Sequence, residues 1–291
     1  MAKYLTIDIG GTYIKYGLVD EQLHLIDKGK IATKRNMESA ILQQVDEIIE
    51  KFLSVSSING IGISTAGIVD RQKGEIVYAG PTIKNYKGTS FKKHIVEKFD
   101  LPVHVENDVN AALLGEIWKG AAQHHDQVYC ITLGTGIGGA YYDEGIVDGY
   151  HLQAHSVGYL LYDPASKTNY EMRASTSALS RKVVKELGTD FTVQDAFDKA
   201  KLGDVSCTDM IRDWCKEVTR GLSEIILLVD PSCIIIGGGI SQQGDFLLHL
   251  IEEQVEEFLP SHFLKTEIKV AQLYNDAALY GAVYPFFKEE K

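Results

Sequence analysis

Hydrophobic and polar positions mark out most of this chain's elements before composition is considered. Residues 4–9 form a buried strand-like run, Gly10-Gly11-Thr12 a tight turn, and residues 13–19 a second strand with Ile14, Tyr16 and Leu18 on one face. The pair predicts a glycine-turned hairpin. Ile41, Val45, Ile48, Ile49 and Phe52 recur at helical spacing and predict a helix over about 37–52. Residues 58–64 read as another buried strand. Residues 103–106 are a short strand running straight into Asn107-Asp108, after which 109–118 have a helical pattern.

The second half begins in the same way. Residues 128–133 are strand-like, Gly134-Thr135-Gly136-Ile137-Gly138-Gly139 is the turn, and Ala140-Tyr141-Tyr142 resumes extended structure. Two strand, glycine turn, strand units in one chain are what two related domains facing each other across a cleft would show. Further on, Ile211, Trp214, Cys215, Val218, Leu222, Ile225 and Val229 form a helical stripe that stops at Asp230-Pro231. A strand over 233–236, a turn at Gly237-Gly238-Gly239 and a helix over 246–258 follow. Strands and helices are thus mixed, which predicts an α/β fold with at least one hairpin and no purely parallel sheet.

Composition narrows the class. The length of 291 residues suits two domains, and 45% apolar with 24% charged residues excludes a disordered chain. The expected division is residues 1–118, joined by the C-terminal segment from about 275, as a smaller lobe, and 119–274 as a larger one. With 29 basic and 40 acidic residues the formal charge is −11, so bulk attraction to nucleic acid or anionic lipid is not expected. The four cysteines, Cys130, Cys207, Cys215 and Cys233, lack the paired spacing of a zinc knuckle or redox motif. No signal-peptide pattern opens the sequence, and the apolar run 225–229 is too short to span a bilayer. A soluble cytoplasmic protein is expected.

Three glycine clusters carry candidate chemistry. Asp8 stands at a strand end beside Gly10 and Gly11, whose bare backbone N–H groups can approach phosphate oxygens, with the Thr12 hydroxyl as a further donor. The alternative is a hairpin turn that only needs positive φ. Gly134, Thr135 and Gly136 open a second such hairpin. A dinucleotide-binding reading fails there, because no amphipathic helix follows. Gly238 and Gly239 lie between an apolar strand and a helix, where bare backbone can pack on a flat ring or simply make a tight turn. Asn107 and Asp108 sit where a strand hands over to a helix. Such residues are preferred N-caps, yet an Asp at a strand's carboxyl end can also accept the proton of an attacking hydroxyl.

In this order, the three clusters and the strand-Asn-Asp-helix unit resemble the ROK family (repressor, open reading frame, kinase) of sugar kinases, over nearly the whole chain. The resemblance implies an actin-like ATPase fold with ATP phosphates between the two glycine hairpins, adenosine near residues 237–239, and sugar in the cleft. It makes Asp108 the general base and Asn107 a sugar ligand. Asp8 would organise the Mg²⁺ and phosphate region, with Thr12 and Thr135 as phosphate donors. The loop that starts Ser64-Thr65-Ala66-Gly67 looks like the sugar-side loop, with Thr82 and Tyr86 standing where Asn and Trp are usual. Glu171 matches a sugar-hydroxyl acceptor.

Departures from the family pattern are informative. Ser156 stands for a usual Glu and Tyr159 for a usual His, and the zinc cysteines have no counterpart, so no zinc is expected. His151 and His155 are four apart and would meet on a helix face, but without further ligands they make no metal site. Loss of two short hydroxyl ligands loosens the grip on a bare monosaccharide, and Tyr159 offers a stacking surface for a second ring. This pattern is similar to the zinc-less branch that includes β-glucoside kinases, acting at the 6-hydroxyl. N-acetylmannosamine and glucose are the rival acceptors, and a homodimer is implied. A sugar-responsive repressor of the same family would need a DNA-binding head ahead of the first hairpin, and a non-catalytic actin-like module would leave Glu171 without a purpose.

Overall fold

The computed structural model describes residues 2–37, 39–80 and 83–288. Thr82 lies outside the described residues. The chain divides into two compact units, one of residues 1–123, 149–153 and 276–291, the other of 124–148 and 154–275.

The first unit starts with β1 (Lys3–Ile9), β2 (Tyr13–Asp20), β3 (Leu25–Ala32), α1 (Ala40–Leu53) and β4 (Gly60–Thr65). A small hairpin, β5 (Ile68–Asp70) and β6 (Glu75–Tyr78), precedes α2 (Phe91–Phe99), β7 (Val103–Asn107) and α3 (Asp108–Lys119). The main sheet runs β3-β2-β1-β4-β7. Its β3-β2-β1 part is antiparallel, while β4 and β7 add in parallel. Strands β1 and β4 are buried almost throughout because both faces are covered. Leu5, Ile7 and Ile9 share a core with Ile41, Val45, Ile48 and Ile49 of α1. The helix starts at Ala40, later than its apolar pattern suggested, since Ser39 adopts the left-handed region.

The second unit carries β8 (Gln127–Leu133) and β9 (Ile137–Asp143), then four helices, α4 (Tyr170–Ala174), α5 (Thr176–Leu187), α6 (Val193–Lys201) and α7 (Val205–Val229). It ends with β10 (Cys233–Gly237), α8 (Asp245–Val255) and β11 (Glu267–Val270). The sheet order is β11-β10-β8-β9, antiparallel only at the β8-β9 hairpin. The glycine-rich turn is shorter than expected, because residues 137–139 already pair with 131–133 as strand. Helix α7 opens with Asp204 accepting the Cys207 N–H at 2.9 Å and stops at Asp230, which turns left-handed before Pro231. Its apolar stripe, together with α8, covers Ile234 and Ile236.

The chain then returns to the first unit as α9 (Ala277–Lys288). Thr6, on the β1 face opposite Leu5 and Ile7, donates to the Leu279 carbonyl at 2.6 Å. Helices α9 and α3 touch backbone to backbone. A Cβ at Gly281 would strike the Ala111 carbonyl, and one at Gly115 the Ala277 carbonyl. Among the described residues no helix is long and apolar enough to cross a membrane.

Candidate active site

Parallel pairing brings one set of predicted residues together at the carboxyl ends of β1, β4 and β7. Asp8 lies in register with Ser64 and Ser64 with Glu106, and one step further Ile9, Thr65 and Asn107 align. Asp8 is buried and paired on both oxygens: Ser64 Oγ donates to Oδ1 at 2.8 Å, and Lys15 Nζ lies 3.3 Å from Oδ2. Lys15 reaches it from the facing position of the β1-β2 hairpin. Ser64 itself is fully buried. With no exposed surface and its hydrogen given to Asp8, it supports that carboxylate.

Asn107 and Asp108 realise the N-cap reading and keep a free carboxylate oxygen as well. Asn107 Oδ1 accepts the N–H groups of Val109 at 2.9 Å and Asn110 at 3.2 Å, capping α3. Its Nδ2 donates to the Gly67 carbonyl at 2.8 Å and to Asp108 Oδ1 at 2.9 Å. Val109 N donates to the same Asp108 oxygen at 3.0 Å. Asp108 Oδ2 has no hydrogen-bond partner among the described residues. Burial, and after it the nearby Asp8 carboxylate, push the Asp108 carboxyl up to about 6. Asp108 is thus ionised at neutral pH yet a stronger base than an ordinary carboxylate. Gly67 is required where it stands, with φ 106° and no room for a Cβ against the Tyr78 carbonyl.

Of two supports of this cluster, Glu106 gave no sequence signal of function, and Tyr86 is marked in the sequence only as standing where Trp is usual. Buried Glu106 accepts from Asn107 N at 2.8 Å and from Asn110 Nδ2 at 2.9 Å, with Arg71 3.6 Å from its other oxygen. Tyr86, buried against Phe91, shares a 2.6 Å hydrogen bond with Thr65. Burial raises its phenol well above the usual range, and the Asp108 and Asp8 carboxylates add to the rise. An alternating strand pattern predicts that Glu106 and Thr65 lie in strands but not that they converge.

The first glycine turn is held by its neighbours. Gly10 N donates to the Tyr13 carbonyl at 3.0 Å, Thr33 Oγ1 to the Gly10 carbonyl at 2.7 Å, and Thr33 N to the Thr12 carbonyl at 2.9 Å. Neither Gly10 nor Gly11 has positive φ, so the plain hairpin explanation for these glycines does not hold. Gly11 and Thr12 are exposed.

The second unit assembles its own set around residues 134–136. Gly134 N donates to the Gly136 carbonyl at 2.9 Å, Thr176 Oγ1 donates to the Leu133 carbonyl at 2.8 Å, and Thr135 stands exposed at the tip. Glu171 Oε2 accepts the Ile137 N–H at 2.8 Å, and a Cβ at Gly136 would strike this carboxylate. A Cβ at Gly158 would lie 3.2 Å from the same oxygen, which puts the turn Val157–Tyr159 beside Glu171. Ser156 is exposed, and Tyr159 is 71% exposed. Gly238 is fixed by the fold itself: it has φ 89°, and a Cβ would strike the Leu133 carbonyl. Gly239 faces open space.

His151 and His155 do not share a helix face, because the chain from 149 to 156 is turns and bends. His155 Nε2 and the Tyr129 hydroxyl are instead buried without partners among the described residues. Burial lowers the His155 ring below its ordinary value. Among the described residues no three His, Cys, Asp or Glu side chains gather as a metal cluster.

This arrangement of hairpin-led α/β sheets is that of an actin-like ATPase fold. The chain belongs to the ROK family, whose sequence model matches residues 4–289. A β-glucoside kinase of Listeria innocua is 31% identical over 99% of this chain and 98% of its own. The crystal structure of a ROK family glucokinase from Streptomyces griseus in complex with glucose and AMPPNP has a TM-score of 0.83 at 29% identity, covering 97% of this chain and 98% of that one. A ROK family protein from Streptococcus pneumoniae in complex with sucrose has a TM-score of 0.86 at 32% identity, covering 99% of each chain.

Proposed function

We propose that this chain, a carbohydrate kinase of the ROK family, transfers the γ-phosphoryl group of ATP to the 6-hydroxyl of a β-glucoside such as cellobiose. The observation that carries the reading is Asp108, whose Oδ2 is free among the described residues and whose carboxyl is pushed up to about 6. As the 6-oxygen bonds to the γ-phosphorus, its proton passes to Oδ2 and the bond from phosphorus to the β-bridging oxygen breaks, releasing ADP. The loose transition state of phosphoryl transfer asks the protein for placement and donors more than for covalent chemistry. The Gly11 and Gly136 N–H groups and the Thr12 and Thr135 hydroxyls supply donors, Gly10 and Gly134 use their own N–H groups to close the two turns, and Gly238 and Gly239 offer bare backbone to the adenine ring.

Mg²⁺ fits the residues present. It keeps several waters and takes one or two carboxylates plus phosphate oxygens, so it needs no cage of protein ligands. Asp8, held by Ser64 and Lys15, is the carboxylate that would hold it, and the ion supplies charge neutralisation at the phosphates.

Asp108 with Asn107 and Gly67 forms the acceptor side. Glu171 keeps Oε1 for a sugar hydroxyl while Oε2 holds the Ile137 N–H. Ser156 and the exposed Tyr159 ring favour an acceptor with a second sugar unit. The β-glucoside kinase relative and the sucrose-bound neighbour support this preference. A coupled ADP-release assay over cellobiose, glucose, N-acetylglucosamine and N-acetylmannosamine tests the proposal. Cellobiose should give the highest kcat/KM. A higher value for glucose or N-acetylmannosamine would move the assignment to that acceptor, and turnover of none would end it.

A further inference from the structure

The Asn107 amide is engaged at every position. A primary amide has two donor hydrogens and two acceptor sites. Here the acceptor sites take the Val109 and Asn110 N–H groups, and the donors go to the Gly67 carbonyl and Asp108 Oδ1. With Val109 N also donating to it, Oδ1 accepts two hydrogen bonds while Oδ2 has none among the described residues. Each donation to Oδ1 makes that oxygen the poorer proton acceptor. Around this arrangement, Glu106 Oε1 fixes both the Asn107 backbone and the Asn110 side chain.

We infer that Asn107 is a positioning residue for Asp108. It sets the rotation of the carboxylate so that Oδ2 takes the proton, and it ties that rotation to the Gly67 turn. The catalytic consequence rests on the kinase reading, whereas the effect on the Asp108 carboxyl does not. Among the described residues, the charged and titratable groups that act on Asp108 are Asp8 of β1, paired with Lys15 of β2, and the Tyr86 phenol, while Glu106 of β7, with Arg71 beside it, holds Asn107. Asp8 opposes ionisation of Asp108, and the Asn107 donation favours it.

Asn107→Ser in the full chain tests this. Serine is a strong N-cap, so the start of α3 is kept, but one hydroxyl hydrogen cannot replace two amide donations. The carboxyl carbons of the ligand-free protein are titrated by NMR, with the Asp108 signal assigned by its loss in Asp108→Asn. The Asp108 midpoint should rise by roughly half a pH unit or more, because a donor to the ionised form is gone. The acid limb of kcat/KM should move by the same amount, whatever the change in sugar KM. An unmoved midpoint would overturn the inference, as would an unmoved acid limb. If Asn107→Ser folds poorly, Asn107→Thr keeps a capping hydroxyl without a new charge and should move the midpoint the same way. Absence of turnover on every sugar would remove the kinase reading, while the NMR titration would still decide the positioning role.

Discussion

The two units build their sheets on one plan and put opposite chemistry at its working end. In each, a glycine-turned hairpin pairs antiparallel and two further strands add in parallel, β2-β1-β4-β7 in one and β9-β8-β10-β11 in the other. The strand ends of the first unit carry Asp8, Ser64, Glu106 and Asn107. The corresponding ends of the second carry Leu133, Thr132 and Gly237, with no carboxylate in the register. A carboxylate does reach the second hairpin, from α4, but its Oε2 is occupied by a backbone N–H. The difference teaches that topology sets where strand ends meet, while side chains decide whether the place suits a proton acceptor or an anion. In a chain of charge −11, polyphosphate is held most easily where backbone donors are bare.

On the proposed mechanism, the largest effect should come from removing the Asp108 carboxylate in the first unit. Asp108→Asn is expected to lower kcat by about 10²–10⁴-fold, with small changes in either KM, in the coupled assay. The wild type should show an acid limb with a midpoint near the Asp108 value of about 6, since the base must be deprotonated to work. Activity that stays flat to pH 5 would remove Asp108 from the role.

A smaller and opposite effect should follow in the second unit. Thr135→Val removes an exposed donor from the hairpin tip and should raise the KM for ATP by roughly tenfold, as loss of a hydrogen bond to a charged ligand does. The sugar KM should be unchanged. A raised sugar KM instead would break the division of labour between the units.

The smallest effect concerns stability. The folded-state value of Asp108, about 6, lies above the ordinary 3.8, so the folded chain binds this proton more tightly than the unfolded one. Its contribution is therefore fully present below about pH 4 and is lost as pH rises through about 6. At pH 7.5, Asp108→Asn should be more stable to urea than wild type by on the order of 1–2 kcal/mol, discounted because the side chain is partly exposed. The gap should close by about pH 4. A variant less stable than wild type at pH 7.5 would show that the ionised carboxylate is a net support of the fold.

Much of the frame was legible in local pattern. Both hairpins, the α1 stripe and the α7 stripe follow from periods of two and 3.6 that neighbouring residues set by themselves. Strand β3 was not legible, because its mixed exposed and half-buried pattern is that of an edge. The short helices α4 and α6 and the β5-β6 hairpin are also too brief for periodicity to reveal. The glycines divided in the same way. The sequence marks Gly10, Gly136 and Gly238 alike, yet only Gly238 needs positive φ, and Gly136 is bare because Glu171 lies where its side chain would be.

The sequence by itself determined the order of the hairpins and the place where a strand ending in Asn107 hands over to a helix headed by Asp108, since both depend on residues a few positions apart. Only the tertiary structure decided that Ser64 donates to Asp8, that Glu106 holds the Asn107 backbone while Tyr86 bonds Thr65, and that burial and Asp8 push the Asp108 carboxyl up to about 6. Those outcomes depend on strand register and on burial, which bring together groups as far apart in sequence as Asp8 and Asp108. Local periodicity carries no information about such distant partners.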